Sequence, residues 1–174
     1  FAANAGKKAG EFYTPHEVAM IMSEIVAEHH KNKDSLEIYD PTSGSGSLLI
    51  TIGKAVSKHI QGKNKVKYYA QELKENTYNL TRMNLLLHGV RPEKMTIRNA
   101  DTLAQDWPED PKRPNEAVQF DAIVMNPPYS LKKWNSDGLT ISDPRFSFVG
   151  MMPPDKTGDY AFLLHGLYHL GQQG

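Results

Sequence analysis

The sequence has 174 residues, of which 39% are hydrophobic and 23% charged, a composition typical of one folded domain and unlike that of a disordered or fibrous chain. It contains no cysteine, which excludes disulfides, cysteine-ligated zinc and covalent catalysis through a thiol. Its 20 basic and 20 acidic residues balance, so it lacks the strongly basic composition of an autonomous nucleic-acid-binding domain.

Helical and strand patterns alternate along the chain. Apolar residues at helical spacing from Val18 to Val26 predict a helix of roughly four turns, with Thr14 as its cap and Pro15 at its first position. A strand over residues 36–39 leads through a glycine loop into a helix. The remaining predicted elements are a helix over 48–59, a strand over 66–70, a helix over 75–88 closed by Gly89, strands over 95–98 and 120–125, and a helix over 159–170. Strands that alternate with helices predict an α/β fold with a doubly wound, mainly parallel sheet.

Two irregular segments separate these elements. Residues 105–117 contain three prolines and several charges, which indicates a surface loop rather than a domain boundary. Residues 130–157 form a segment long enough to suggest a function. Its cations Lys132, Lys133 and Arg145 could contact phosphates or could simply be solvated, and the sequence does not decide between the two.

The glycine loop lies where Rossmann-type folds bind a nucleotide, at the carboxyl end of the first strand. The dinucleotide fingerprint requires a glycine where this chain has Leu49, and no Gly-Lys-Ser/Thr sequence follows, which argues against NAD, FAD and a P-loop. Glu72 after the second strand is placed to accept from ribose hydroxyls, and Asp101 after the third could accept from an adenine amine. Each carboxylate alone could merely end a strand, but together they favour a nucleoside ligand. The loop comprises Asp40, Pro41, Thr42, Ser43, Gly44, Ser45 and Gly46.

The tetrapeptide Asn126-Pro127-Pro128-Tyr129 follows the fourth strand. Two prolines could simply end a strand, but their neighbours suggest chemistry. The side-chain oxygen of Asn126 and the carbonyl of Pro127 can each accept one N–H of an amine conjugated to a planar ring, which frees its lone pair to attack a sulfonium methyl. Pro127 and Pro128 hold these acceptors in register, and Tyr129 offers a ring on which a flipped base can stack. No general base is required.

On these motifs the chain resembles the modification subunit of type I restriction–modification systems, a gamma-class amino-methyltransferase family. The resemblance implies a Rossmann-like fold, S-adenosyl-L-methionine as cofactor, and Asn126 to Tyr129 as the catalytic residues. Further elements that resemble the family are Trp134, the segment 143–146 and His165. His165 and His169 share a helix face, but they lack a carboxylate ligand set, and no metal is expected. The cofactor-binding residues that the resemblance implies are Glu11, Phe12, Tyr13, Thr14, Pro15, residues 40–46, Glu72, Leu73, Asp101, Thr102 and Phe162.

The resemblance also implies methyl transfer to the N6 amino group of an adenine flipped out of double-stranded DNA, in a complex with a specificity subunit and a restriction subunit. Glutamine-N5 protein methyltransferases and some RNA methyltransferases share the tetrapeptide, and this piece could instead be a non-catalytic cofactor-binding assembly module. These alternatives stay open.

Residues 1–174 are expected to be part of a catalytic domain, because the chain begins without Met at Phe1 and the family has further N- and C-terminal regions and further strands. Residues 1–35 are assigned to a cofactor-covering segment and helix, 36–129 to the cofactor and catalytic core, and 130–174 to the catalytic loop and helix. No apolar run reaches the roughly 18 residues that span a bilayer, so we expect neither a membrane helix nor a signal peptide. The protein is therefore expected to be cytoplasmic.

Overall fold

The computed structural model describes residues 13–59, 65–104, 108–110, 112–113, 116–132, 134 and 136–174. Within these ranges four parallel strands form one sheet in the order β3-β2-β1-β4. The strands are Leu36–Asp40 (β1), Val66–Glu72 (β2), Met95–Asn99 (β3) and Ala122–Ile123 (β4). The helices are His16–His29 (α1), Ser47–His59 (α2), Glu75–Leu87 (α3), Pro144–Ser147 (α4) and Asp159–His169 (α5). None of these helices is long and apolar enough to cross a membrane.

The central strand β1 is covered on both faces. Ile38 belongs to the main hydrophobic cluster together with Leu49 and Ile52 of α2. Its neighbour Tyr39 points to the opposite face, where its ring lies 4.8 Å from that of Phe120 and 5.8 Å from that of His165. Since successive side chains of a strand alternate between faces, helices pack on both sides of the sheet. The predicted doubly wound α/β fold is confirmed.

The strand order reverses beside β1. The chain runs from β1 to β2 and β3, and then returns to place β4 on the other side of β1. In doubly wound sheets a crevice opens at the carboxyl ends of the strands at such a switch point. The ends of β1 and β4 meet there, which brings the glycine loop close to the segment after β4.

The first helix is confirmed, but only part of its predicted apolar side is buried. Ala19 and Ser23 are buried, whereas Ile21 and Ile25 are each 64% exposed. Residues with small side chains at i, i+4 spacing let α1 approach α2 closely, and Met22 and Val26 pack partly buried against the main cluster. The predicted cap is wrong as well: Pro15 is the N-cap, in an extended conformation, and the helix begins one residue later at His16.

The fourth strand is shorter than the predicted residues 120–125. Regular pairing with β1 is restricted to Ala122–Ile123, and Phe120 forms an isolated parallel bridge with Leu170 instead. Single backbone hydrogen bonds from Asp121 to Glu37 and from Val124 to Tyr39 continue the pairing by one residue at each end. The segment thus arrives at Asn126 already aligned with β1.

Candidate active site

The loop between β1 and α2 is held from behind by α3. Gly44 and Gly46 adopt left-handed φ values of +54° and +76°, which favour glycine. The Thr81 hydroxyl donates to the Gly44 carbonyl, and the Asn84 amide donates to the carbonyl of Ser45 at 2.9 Å. A Cβ at Gly46 would lie 3.0 Å from Thr81, whereas one at Gly44 would meet no atom within 4 Å. The loop is therefore packed on one side and open to a ligand on the other.

Two of the predicted carboxylates also organise backbone. Glu72, the last residue of β2, accepts from the backbone nitrogen of Gly44 at 3.0 Å and from that of Lys74 at 2.9 Å. Asp101 accepts from the backbone nitrogen of Leu103 at 2.9 Å, through one carboxylate oxygen. Glu72 thus connects the end of β2 to the glycine loop, and Asp101 begins a turn after β3.

Asp40 is an acidic group largely removed from water, with 2% of its surface exposed. Burial raises its pKa to about 7, against the effect of a hydrogen bond from the Thr42 backbone and with a smaller contribution from Glu72. A cation in the adjacent cleft would stabilise the ionised form.

One cleft joins the glycine loop to the segments on either side of it. Tyr13 and Thr14, which precede α1, line the cleft beside Asn126. Ser47 and Leu48 line the cleft too, although the sequence did not single them out; the signal for them was their position at the start of α2, directly after Gly46. The lining residues are Tyr13, Thr14, Asp40, Thr42, Ser43, Gly44, Ser45, Ser47, Leu48 and Asn126.

The amide of Asn126 is fixed at both ends. Its nitrogen donates to the Thr14 hydroxyl at 3.0 Å, and its oxygen accepts from the Tyr129 hydroxyl at 3.0 Å. The Tyr129 side chain is 64% exposed, which leaves its ring available to a planar ligand. Ser130 has a positive φ of 53°, rare for a residue with a side chain, and its backbone nitrogen donates to Asp159 at 3.2 Å. The chain therefore turns sharply directly after the tetrapeptide.

The other predicted residues fall in several places. Glu11 and Phe12 lie outside the described residues. Leu73 is 62% exposed, and the hydroxyl of Thr102 donates to the Pro41 carbonyl at 2.6 Å. Phe162 is buried in a second hydrophobic cluster, outside the cleft lining. That cluster also contains Leu103, Trp134, Phe146 and Ala161.

Arg145 is neither a phosphate contact nor a solvated cation. Its side chain is only 1% exposed and forms an ion pair with Asp143 at 2.8 Å. Neither sequence alternative anticipated this, because both took the segment to be exposed. Lys133 lies outside the described residues, whereas Lys132 is exposed.

The two histidines of α5 are buried and contact polar groups of the core. The Nε2 atom of His165 lies 3.0 Å from the Tyr39 hydroxyl, and the Nδ1 atom of His169 lies 3.0 Å from the Val118 carbonyl. Across the described ranges no cluster of three metal-ligating side chains is present.

Comparison with known proteins identifies relatives across the whole chain. A family model described as N-6 DNA Methylase matches residues 1–174. The type I restriction enzyme MpnII methylase subunit of Mycoplasma pneumoniae is 39% identical over 177 residues, which cover 100% of this chain and 32% of that protein. The corresponding HindI methylase subunit of Haemophilus influenzae is 29% identical, over 100% of this chain and 36% of its own length. The chain thus spans about a third of the length of these relatives.

A solved structure shares both sequence and fold. The methyltransferase subunit of the type I restriction–modification system of Streptococcus thermophilus superimposes with a TM-score of 0.82 at 46% identity, covering 98% of this chain and 34% of that one. The architecture is that of S-adenosylmethionine-dependent methyltransferases, since a structure described as one of these superimposes with a TM-score of 0.70 at 16% identity, covering 97% of this chain and 46% of that one.

Proposed function

Because the chain belongs to the N-6 DNA methylase family, we propose that it forms the cofactor and catalytic site of an adenine-specific DNA methyltransferase. The observation that carries this proposal is the joining of Asn126 to Thr14 at the cleft of the glycine loop. This contact supports the proposal that Asn126 polarises an amine beside a nucleoside-type site. The DNA substrate and the subunit partners are proposed from the relatives, which are methylase subunits of type I restriction enzymes.

The residues of the cleft fit S-adenosyl-L-methionine. Asp40 offers a buried negative charge to a cationic ligand, and the left-handed glycine backbone leaves open space for it. Glu72 and Asp101 are not among the lining residues of the cleft, but their carboxylates retain lone pairs that can accept from ribose hydroxyls and from an adenine amine. We assign Tyr13 and Thr14, which also line the cleft, to the methionine end of the cofactor. When bound, the cofactor supplies an electrophilic methyl group on a sulfonium.

Asn126 would act on the amine of the target base. Its oxygen and the Pro127 carbonyl accept the two N–H groups, so that the nitrogen lone pair is no longer delocalised into the ring. The hydrogen bonds with Thr14 and Tyr129 hold the amide in place before the substrate arrives, and therefore little reorganisation is needed in the transition state. The exposed ring of Tyr129 is available to stack on a base that has left the duplex.

Binding to the duplex would depend on further surfaces. The chain has 20 basic and 20 acidic residues, which leaves no excess positive charge to neutralise phosphates. We therefore propose that recognition of the DNA sequence resides in a separate specificity subunit and cleavage in a restriction subunit.

The test is the substitution Asn126→Ala in the complete polypeptide assembled with its partner subunits. Removing one preorganised acceptor is expected to lower kcat for DNA methylation by roughly 100- to 1,000-fold, while the KM for the cofactor changes little. The matched control is Asn79→Ala, on the exposed side of α3, which should leave kcat unchanged. Undiminished methylation by the Asn126 variant would rule out the proposed role of the tetrapeptide.

A further inference from the structure

Arg145 is a buried charge in the segment that follows the catalytic tetrapeptide. Its Nε and Nη2 atoms donate to the two carboxylate oxygens of Asp143 at 2.9 and 2.8 Å. The same carboxylate caps α4 by accepting from the backbone nitrogen of Arg145 at 2.9 Å. Burial acts to raise the pKa of Asp143, but its hydrogen bonds with Arg145 outweigh burial and the pKa is lowered. Asp143 is therefore ionised at neutral pH.

The guanidinium also holds the turn after β3. Its Nη1 atom donates to the Thr102 carbonyl at 2.9 Å, and Nη2 donates to the Leu103 carbonyl at 3.4 Å. These two carbonyls directly follow Asp101, whose own carboxylate accepts from the Leu103 nitrogen. The Thr102 hydroxyl in turn donates to the Pro41 carbonyl in the glycine loop. Arg145 thus holds the turn that follows Asp101, and this turn is itself hydrogen-bonded to the glycine loop.

Packing alone does not explain a guanidinium at this place. The adjoining hydrophobic cluster already contains Leu103, Trp134 and Phe146, and an apolar side chain would extend it without the cost of burying a charge. What arginine adds is a planar fork that donates to a carboxylate and to two successive carbonyls at once, which lysine cannot match.

We propose that Arg145 is a positioning residue that orients the Asp101 carboxylate toward the exocyclic amine of the cofactor's adenine, an inference that rests on the proposed function. Arg145 acts through the turn at residues 101–104 and does not itself contact the cofactor. The segment after the catalytic tetrapeptide and the adenine end of the cofactor site then form one unit.

The test compares two ligands that differ only at that amine, S-adenosylhomocysteine and its purine-riboside analogue, in which a hydrogen atom replaces the amine. Calorimetry on the complete polypeptide should show a roughly 10- to 100-fold preference for the adenine-bearing ligand, as expected for a hydrogen bond to a charged acceptor. Arg145→Lys should remove most of this preference, as should Asp101→Asn, and the double variant should lose no more than either alone. The control Arg91→Lys, at an exposed arginine paired with Glu93, should retain the full preference.

If Arg145 had a merely structural role, Arg145→Lys would lower the affinity for both ligands equally and leave the ratio of the two affinities unchanged. That result overturns the inference, while the proposed function stands. Absence of any preference in the unaltered protein overturns the inference too, and absence of binding by either ligand overturns the proposed cofactor as well. If thermal unfolding shows that Arg145→Lys does not fold, Asp143→Asn is the second variant, because it keeps the side-chain shape and removes the counter-charge of Arg145. Asp143→Asn should reduce the preference for the adenine-bearing ligand by at least about threefold, and an unchanged preference overturns the inference.

Discussion

At the scale of the residue, Asp40 combines a cost to stability with a proposed benefit to binding. Burial raises its pKa from 3.8 to about 7, so its contribution to stability is full below about pH 4 and is lost as the pH rises through 7. Asp40→Asn is therefore expected to raise the free energy of unfolding above pH 7, by at most about 4 kcal/mol at about 1.4 kcal/mol per pH unit. Urea unfolding of both proteins at pH 4 and pH 8 measures this difference, which should grow with pH.

The same substitution should lower the affinity for S-adenosyl-L-methionine at pH 8 by roughly tenfold or more, because the neutral amide no longer attracts a cation. Calorimetry on both proteins checks this. A variant that is more stable at pH 8 and still binds the cofactor with parental affinity would show that Asp40 does not contact it.

Tyr129 carries two separable contributions. Its hydroxyl donates to the Asn126 oxygen, and its exposed ring is proposed to stack on the target base. Tyr129→Phe keeps the ring and should lower kcat by roughly 3- to 10-fold through a less fixed amide. Tyr129→Ala also removes stacking and should cost roughly a further 10-fold or more in kcat/KM for DNA. Steady-state methylation kinetics separate the two, and equal effects of both variants would argue against stacking.

At the scale of the element, the glycine loop depends on its contact with α3. Gly46 combines a φ of +76° with a Cβ position 3.0 Å from Thr81, whereas Gly89 after α3 has a φ of +82° and open space. Gly46→Ala should therefore be more destabilising than Gly89→Ala, which bears only the backbone strain of roughly 1 kcal/mol. Only the loop variant should also weaken cofactor binding. Thermal unfolding and calorimetry on both variants check this. Equal losses of stability in Gly46→Ala and Gly89→Ala would contradict close packing of the loop against α3.

The sequence predicts the positions of the strand ends better than the packing of individual helices and side chains. A parallel sheet brings the carboxyl ends of its strands to one edge, and for that reason Asp40 and Glu72 could be assigned to one site from strand ends alone. The orientation of α1 could not be predicted, since small residues can be buried in preference to large ones only when a particular partner helix is close. Arg145 could not be assigned either, because its burial depends on carbonyls of Thr102 and Leu103, more than forty positions earlier in the chain.

At the scale of the whole molecule, β1 and α5 are joined through a buried polar contact. His165 lies 3.0 Å from the Tyr39 hydroxyl; burial, followed by His169 and Arg145, lowers its pKa well below 6.5. Its contribution to stability is therefore full above about pH 6.5 and is lost as the pH falls. The parent should be more stable than His165→Gln at pH 7.5, and this margin should shrink toward pH 5. Urea unfolding across this range measures it, and a margin independent of pH would contradict a neutral buried imidazole.

The contact between Thr14 and Asn126 spans 112 positions and completes the cleft only when the whole chain has folded. We propose that this assembled cleft methylates adenine in DNA. The most direct test is to incubate the complete polypeptide and its partner subunits with S-adenosyl-L-methionine and double-stranded DNA, digest the DNA, and identify the nucleosides by mass spectrometry. We expect N6-methyldeoxyadenosine, strongly reduced with Asn126→Ala and undiminished with Asn79→Ala. Unmodified DNA accompanied by methylated RNA, or by N5-methylglutamine in a protein, would contradict the proposed function.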